Sequence, residues 1–138
     1  MKLFVLDCSV TMAWCFEDEA NEQSDKILVQ LKSSKAIVPS IWPLEVMNVL
    51  GVAERKKRIN AAQSNTFIAL LNDLPIEIDV SLQEAVNKNI LEISRKYDLS
   101  SYDAAYLELA LRKKVSLISF DKNLCNAAKK AEVEFTFK

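Results

Sequence analysis

The sequence predicts a single α/β domain over residues 1–138: three layers, α/β/α, around a central, mostly parallel sheet of four or five strands. Three observations carry this. Apolar runs of strand length alternate along the chain with longer stretches of helical periodicity. The opening run, Leu3–Leu6, is continuously apolar, as suits a strand buried on both faces of a parallel sheet. Its exit residue, Asp7, has a counterpart near the other end, where Val115–Ser119 leads through Phe120 to Asp121. Carboxylates at strand exits stand where open α/β sheets place their ligands.

After the first strand, Val10–Phe16 reads as a short helix with Ser9 as its N-cap. Ala20–Ser33 is a second helix, with Ile27, Leu28 and Leu31 on one face, and Ala36–Val38 is a strand ended by Pro39-Ser40. Pro43 suits the first turn of a helix over Ile41–Lys56, whose Val46, Val49, Leu50 and Ala53 fall at i, i+3, i+4 and i+7. Ala61–Leu74 repeats the pattern with Phe67, Leu70 and Leu71. The pair, about 41–74, carries more apolar residues than one small core obviously needs, Trp42 among them. It is therefore expected to protrude and to serve self-association. Ile76–Val80 alternates like a strand, and Ser81 with Glu84 suggests a capping box before a helix bearing Val86, Ile90, Ile93 and Tyr97. Ser100 and Asp103 offer a second such opening, for a helix ending near Lys113. Val115–Ser119, Lys122–Lys130 and an edge strand at Val133–Phe137 complete the order β-α-α-β-α-α-β-α-α-β-α-β.

Composition narrows the chemistry. Half of the chain is apolar, and 18 basic residues nearly balance 19 acidic ones, so any polyanion contact needs a local basic face. Asp7 interrupts the opening apolar run too early for a signal peptide, and no stretch approaches a membrane span. Three scattered cysteines, Cys8, Cys15 and Cys125, fit packing residues in a reducing cytoplasm better than a disulfide framework. There is no histidine, which removes imidazole bases and histidine-ligated zinc. The single glycine, Gly51, rules out a glycine-rich phosphate loop. Carboxylate, hydroxyl, lysine and arginine remain.

Four acids draw the eye. Asp7 and Asp121 follow strands, while Glu45 and Asp103 lie in first helical turns; each alone has an ordinary reading as a turn residue or a dipole-complementing acid. Asp103 is followed by Ala104, Ala105, Tyr106, Leu107 and Ala110, a surface suited to close packing on the sheet, which would aim its carboxylate at the sheet edge. Converged acids repel and raise one another's pKa values, a cost that a divalent cation removes. An all-oxygen site favours Mg²⁺ or Mn²⁺.

The segments Leu6–Ser9 (LDCS), Pro39–Leu50 (PSIWPLEVMNVL), Leu99–Ala110 (LSSYDAAYLELA) and Leu117–Leu124 (LISFDKNL) make the chain resemble PIN domains, and within them VapC-type toxin ribonucleases of toxin-antitoxin systems. The resemblance covers essentially the whole chain. It implies that Asp7, Glu45, Asp103 and Asp121 are the catalytic and metal-holding acids, with Ser9 and Ser119 as accessory hydroxyls. It also implies an endoribonuclease leaving a 5′-phosphate, a homodimer, and a cognate antitoxin whose peptide the helix pair holds. One departure is Arg112-Lys113-Lys114, where members of the family often carry glycine.

In that reading the run Arg55, Lys56, Lys57 and Arg58, with Lys113, Lys114, Lys129 and Lys130, can contact RNA phosphates, although cations at helix C-termini also simply complement the dipole. Trp14 and Trp42 can stack on bases but fit core packing better. The rival readings are a non-catalytic PIN-like RNA- or protein-binding module and a Mg²⁺-dependent phosphotransfer domain. The latter usually needs a lysine at the end of a later strand, where this chain has Ser119-Phe120-Asp121 with Lys122 beyond.

Overall fold

The computed structural model describes residues 2–81 and 84–136. Five strands, β1 (Lys2–Leu6), β2 (Ser34–Val38), β3 (Ile76–Ile78), β4 (Ser116–Ile118) and β5 (Phe135–Thr136), form one sheet in the order β3-β2-β1-β4-β5. Every pairing is parallel, as the alternation of strands and helices predicts. The helices are α1 (Cys8–Ala13), α2 (Glu22–Gln30), α3 (Trp42–Arg55), α4 (Ala61–Asp73), α5 (Glu84–Tyr97), α6 (Ser101–Lys113) and α7 (Lys122–Lys130).

β1 lies at the centre because its Phe4, Val5 and Leu6 leave no polar side chain to solvate; all three are fully buried, each contributing about 1.5–3 kcal/mol relative to exposure. The chain winds outward from β1 through β2 to β3, then returns to the other side of β1 for β4 and β5. Right-handed crossovers then place helices on both faces, with α1 against α2 and α3, and α6 against β1, β4 and α7. Pairing of Val5 with Leu117 and of Leu6 with Ile118 brings Asp7 and the Ser119–Asp121 segment to one edge of the sheet. The Asp7 N–H extends that ladder by donating to the Ile118 carbonyl at 2.9 Å.

Several local expectations are corrected. The first helix begins at Cys8, with Asp7 rather than Ser9 at its N-cap, because the chain turns into helix directly from the strand. The second begins at Glu22, after a reciprocal capping box of Asn21 and Ser24. The start of α5 adjoins residues 82–83, so the capping box read there falls partly outside the described residues; the Ser81 hydroxyl itself donates to Asp79 Oδ1 at 3.1 Å. The Ser100 cap stands, accepting from the Asp103 N–H at 3.1 Å. Residues 137–138, the end of the expected last strand, lie outside the described residues.

The helix pair is corrected in substance. Trp42, Val46, Leu50, Phe67 and Leu71 are all buried in this chain's own core, so the pair does not display the apolar excess that motivated a protruding clip. Of the apolar residues read on the pair, Leu70 is left exposed, together with Leu44 and Met47. The two tryptophans pack as core residues do. Trp42 Nε1 donates to Thr11 Oγ1 at 3.0 Å and Trp14 Nε1 to the Ser24 carbonyl at 2.8 Å.

Candidate active site

Asp7 is buried at the carboxyl end of β1, 5% exposed. Its Oδ2 accepts from Ser9 Oγ at 2.6 Å and from Ser119 Oγ at 2.8 Å. Each hydroxyl is itself aimed by a backbone amide of the segment that follows β4. The Phe120 N–H donates to Ser9 Oγ at 3.0 Å, and the Asp121 N–H to Ser119 Oγ at 2.9 Å. One oxygen of Asp7 is thus fixed at once from the first turn of α1 and from the segment after β4. Burial pushes the Asp7 carboxyl up, the two serine hydrogen bonds pull against it, and the charge of Asp121 adds to the rise.

Asp121 is the N-cap of α7, its Oδ1 accepting from the Leu124 N–H at 2.9 Å. The ordinary reading of this residue is therefore also true, and it leaves Oδ2 uncommitted. Asp103, in the first turn of α6, is half-buried and pushed up to about 6, by burial first and then by the charges of Asp121 and Asp7. Glu45, in the first turn of α3, accepts at Oε1 from the Tyr106 hydroxyl at 2.5 Å. Burial raises its carboxyl, the tyrosine counteracts, and Asp7 and Asp103 raise it further.

The four acids therefore feel one another: Asp7 with Asp121, Asp103 with both, and Glu45 with Asp7 and Asp103. Gathered carboxylates make a negative field that draws cations. Among the described residues no three of these acids, nor of the cysteines, stand as a preformed ion cage. The donor set nonetheless fits a hard cation, because Mg²⁺ keeps most of its waters and takes one or two carboxylates rather than a full protein cage. Burial, with Glu45 and Asp7 adding, pushes the Cys8 thiol up, which disfavours its thiolate.

The basic run divides. Arg58 is bonded to Asp18 at 2.5 Å and Glu19 at 3.0 Å and stacked 3.9 Å over the Phe16 ring, so a phosphate would compete there with two exposed carboxylates. Arg55 lines an open groove of about 630 Å³ that starts beside Glu45 and passes Leu44, Met47 and Tyr102. Lys56 and Lys57 are exposed. Sequence reasoning missed Tyr106 as a site residue, placing it only among core packing. Nothing local pairs it with a glutamate 61 positions away.

A parallel sheet with acids gathered at the carboxyl edge of its central strands defines a class, and the chain belongs to it: residues 4–130 match the PIN domain family. No functionally curated protein is similar to the chain in sequence. Among solved structures the fold resembles VapBC2 from Rickettsia felis bound to a promoter DNA fragment, with 9% identity, a TM-score of 0.70 and coverage of 98% of both chains. It also resembles FitAcB from Neisseria gonorrhoeae, with 18% identity, a TM-score of 0.65 and coverage of 98% of this chain and 96% of that one. A third is VapC20 from Mycobacterium tuberculosis, a sarcin-ricin loop cleaving toxin, with 12% identity, a TM-score of 0.63 and coverage of 90% and 94%.

Proposed function

We propose that this chain is a metal-dependent endoribonuclease, the toxin of a toxin-antitoxin pair, in which Asp7, Glu45, Asp103 and Asp121 hold Mg²⁺ or Mn²⁺. The gathering of the four acids at one sheet edge carries the reading: burial first, and then the charges of Asp121 and Asp7, raise Asp103 to about 6, and a cation relieves that repulsion. Bound there, the ion supplies charge stabilisation to a phosphodiester and acidifies water. The chain's own residues supply the rest. Ser9 and Ser119 both hold Oδ2 of Asp7, which leaves Oδ1 available to an ion. Asp121 keeps Oδ2 in reserve beyond its capping bond. Arg55, Lys56 and Lys57 offer phosphate contacts at the rim.

The partners follow from the same likeness. A toxin-antitoxin complex from Klebsiella pneumoniae shares the fold (17% identity, TM-score 0.60), and VapC20 is a sarcin-ricin loop cleaving toxin, which supports a cognate antitoxin and an RNA substrate here. Three free cysteines support a reducing, cytoplasmic setting; no helix among the described residues is long and apolar enough to cross a membrane. For the homodimer, the exposed face of α3 replaces the buried face read from sequence. Leu44, Met47, Gly51 and Arg55 share that face. Gly51 has no positive φ, and a Cβ there meets only Arg55 Nη1 at 3.4 Å, so nothing inside the chain demands glycine. A second α3 packed antiparallel would find room at Gly51.

The test is Asp103→Asn, assayed on RNA with Mg²⁺ or Mn²⁺. Loss of cleavage by orders of magnitude is expected, since an amide replaces a hard anionic ligand poorly; cleavage at the parent rate sinks the assignment. A second reading, a non-catalytic PIN-like binding module, draws on the absence of a preformed ion cage among the described residues. Cleavage that EDTA stops and Mn²⁺ restores excludes it.

A further inference from the structure

Tyr106 is fully buried, and Glu45 Oε1 accepts its hydroxyl proton at 2.5 Å. A phenol without water needs a polar partner, and a carboxylate acceptor gives the short, charge-assisted bond seen here. The two ends of the bond differ in freedom. Tyr106 has two side-chain torsions, locked by the packing of α6 between β1, β4 and α7. Glu45 has three, is only half-buried, and gives up rotamer freedom when fixed. The fixed partner therefore orients the free one. Tyr106 also lies three residues after Asp103, on the same face of α6. One helix thus delivers an acid directly and grips a second acid from α3.

We infer that Tyr106 is a positioning residue, which pins Oε1 of Glu45 so that Oε2 is presented to a divalent cation shared with the aspartates. The inference rests on the metal-dependent reading above. It concerns Tyr106 alone, which touches neither substrate nor ion. Partners that orient a ligand in this way are worth about 10- to 100-fold in metal affinity or activity.

The experiment is Tyr106→Phe, which keeps the ring and removes the hydroxyl, measured beside the parent, Glu45→Gln and the double variant. The readouts are Mn²⁺ binding by electron paramagnetic resonance and RNA cleavage. Mn²⁺ affinity is expected to fall about 10- to 100-fold in Tyr106→Phe and to fall no further when the change is added to Glu45→Gln. Parent-level Mn²⁺ affinity and cleavage in Tyr106→Phe overturn the inference. So does an equal loss in both backgrounds, because the hydroxyl then acts other than through Glu45. A parent that binds Mn²⁺ without cutting RNA overturns the nuclease reading alone, and one that binds no Mn²⁺ overturns both. Should Tyr106→Phe fail to fold, the parent still decides: a slowly exchanging Tyr106 hydroxyl proton in its NMR spectrum must vanish in Glu45→Ala, and its absence from the parent overturns the inference.

Discussion

Asp7, Asp103 and Glu45 each carry a raised carboxyl, and the sign of that shift governs how the metal-free protein responds to pH. A carboxyl whose folded pKa lies above its unfolded value holds its proton more tightly when folded. It carries no penalty at pH values below both, and it destabilises the fold increasingly as pH rises through the window between them. For Asp103 that window runs from the ordinary 3.8 to about 6. Thermal melts in EDTA should therefore show Tm falling from pH 4 to pH 6.5. Asp103→Asn should flatten that fall and melt level with or above the parent at neutral pH, and a steeper fall in the variant contradicts the account. The acids themselves were legible in the sequence, because strand exits and first turns are local features. Ser9 and Ser119 were named through the family resemblance, but their bonds to Asp7 Oδ2 were not legible, since Ser119 reaches it only through a sheet pairing that spans 112 positions.

At the scale of elements, four helices end on a left-handed residue that is not glycine: Lys57, Asp98, Lys114 and Glu132. The missing glycine noted at Arg112–Lys114 is one instance of this. There Lys114 takes φ 57° and ψ 47° to close α6, and its N–H donates to the Ala110 carbonyl. Lys114→Gly should accordingly stabilise the protein by about 0.5–1 kcal/mol, the backbone relief exceeding the entropy lost on folding; chemical denaturation measures this. A second device ties the edge strand β3 to α6. Arg112 reaches Glu108 Oε2 at 2.9 Å and Asp79 Oδ2 at 2.6 Å, with Glu108 and Asp79 largely buried. Burial alone would raise Asp79, but the Arg112 bonds and charge outweigh it and hold that carboxyl below its ordinary value. Arg112→Ala strands both acids and should cost about 3 kcal/mol in denaturant unfolding, with Arg112→Lys restoring little because it lacks the fork. Helix identity and order were readable from periodicity in every case. Helix starts were less so, since the Asn21–Ser24 box lacks the familiar Glu, and the Arg112 cluster joins residues 33 positions apart.

For the molecule as a whole, the parallel sheet and its alternation with helices were legible because buried strands need apolar runs that no other element explains. The strand order β3-β2-β1-β4-β5 was not, since each apolar run could pair with any other. Gly51 offers a prediction at this scale. Gly51→Ala should stabilise the isolated fold by about 0.5–1 kcal/mol yet weaken self-association, read by sedimentation. Unchanged association would place the interface elsewhere than on α3. The strand order also fixes when the protein can act during its own synthesis. β1 is made before β4, so its Asp7 gains Ser119 and its neighbour Asp121 only after β4 has followed it. Until then the nascent chain holds Asp7 without the serine and the acid from the far side of that pairing. A chain whose proposed target is RNA thus has an incomplete acid set over that stretch of its own synthesis.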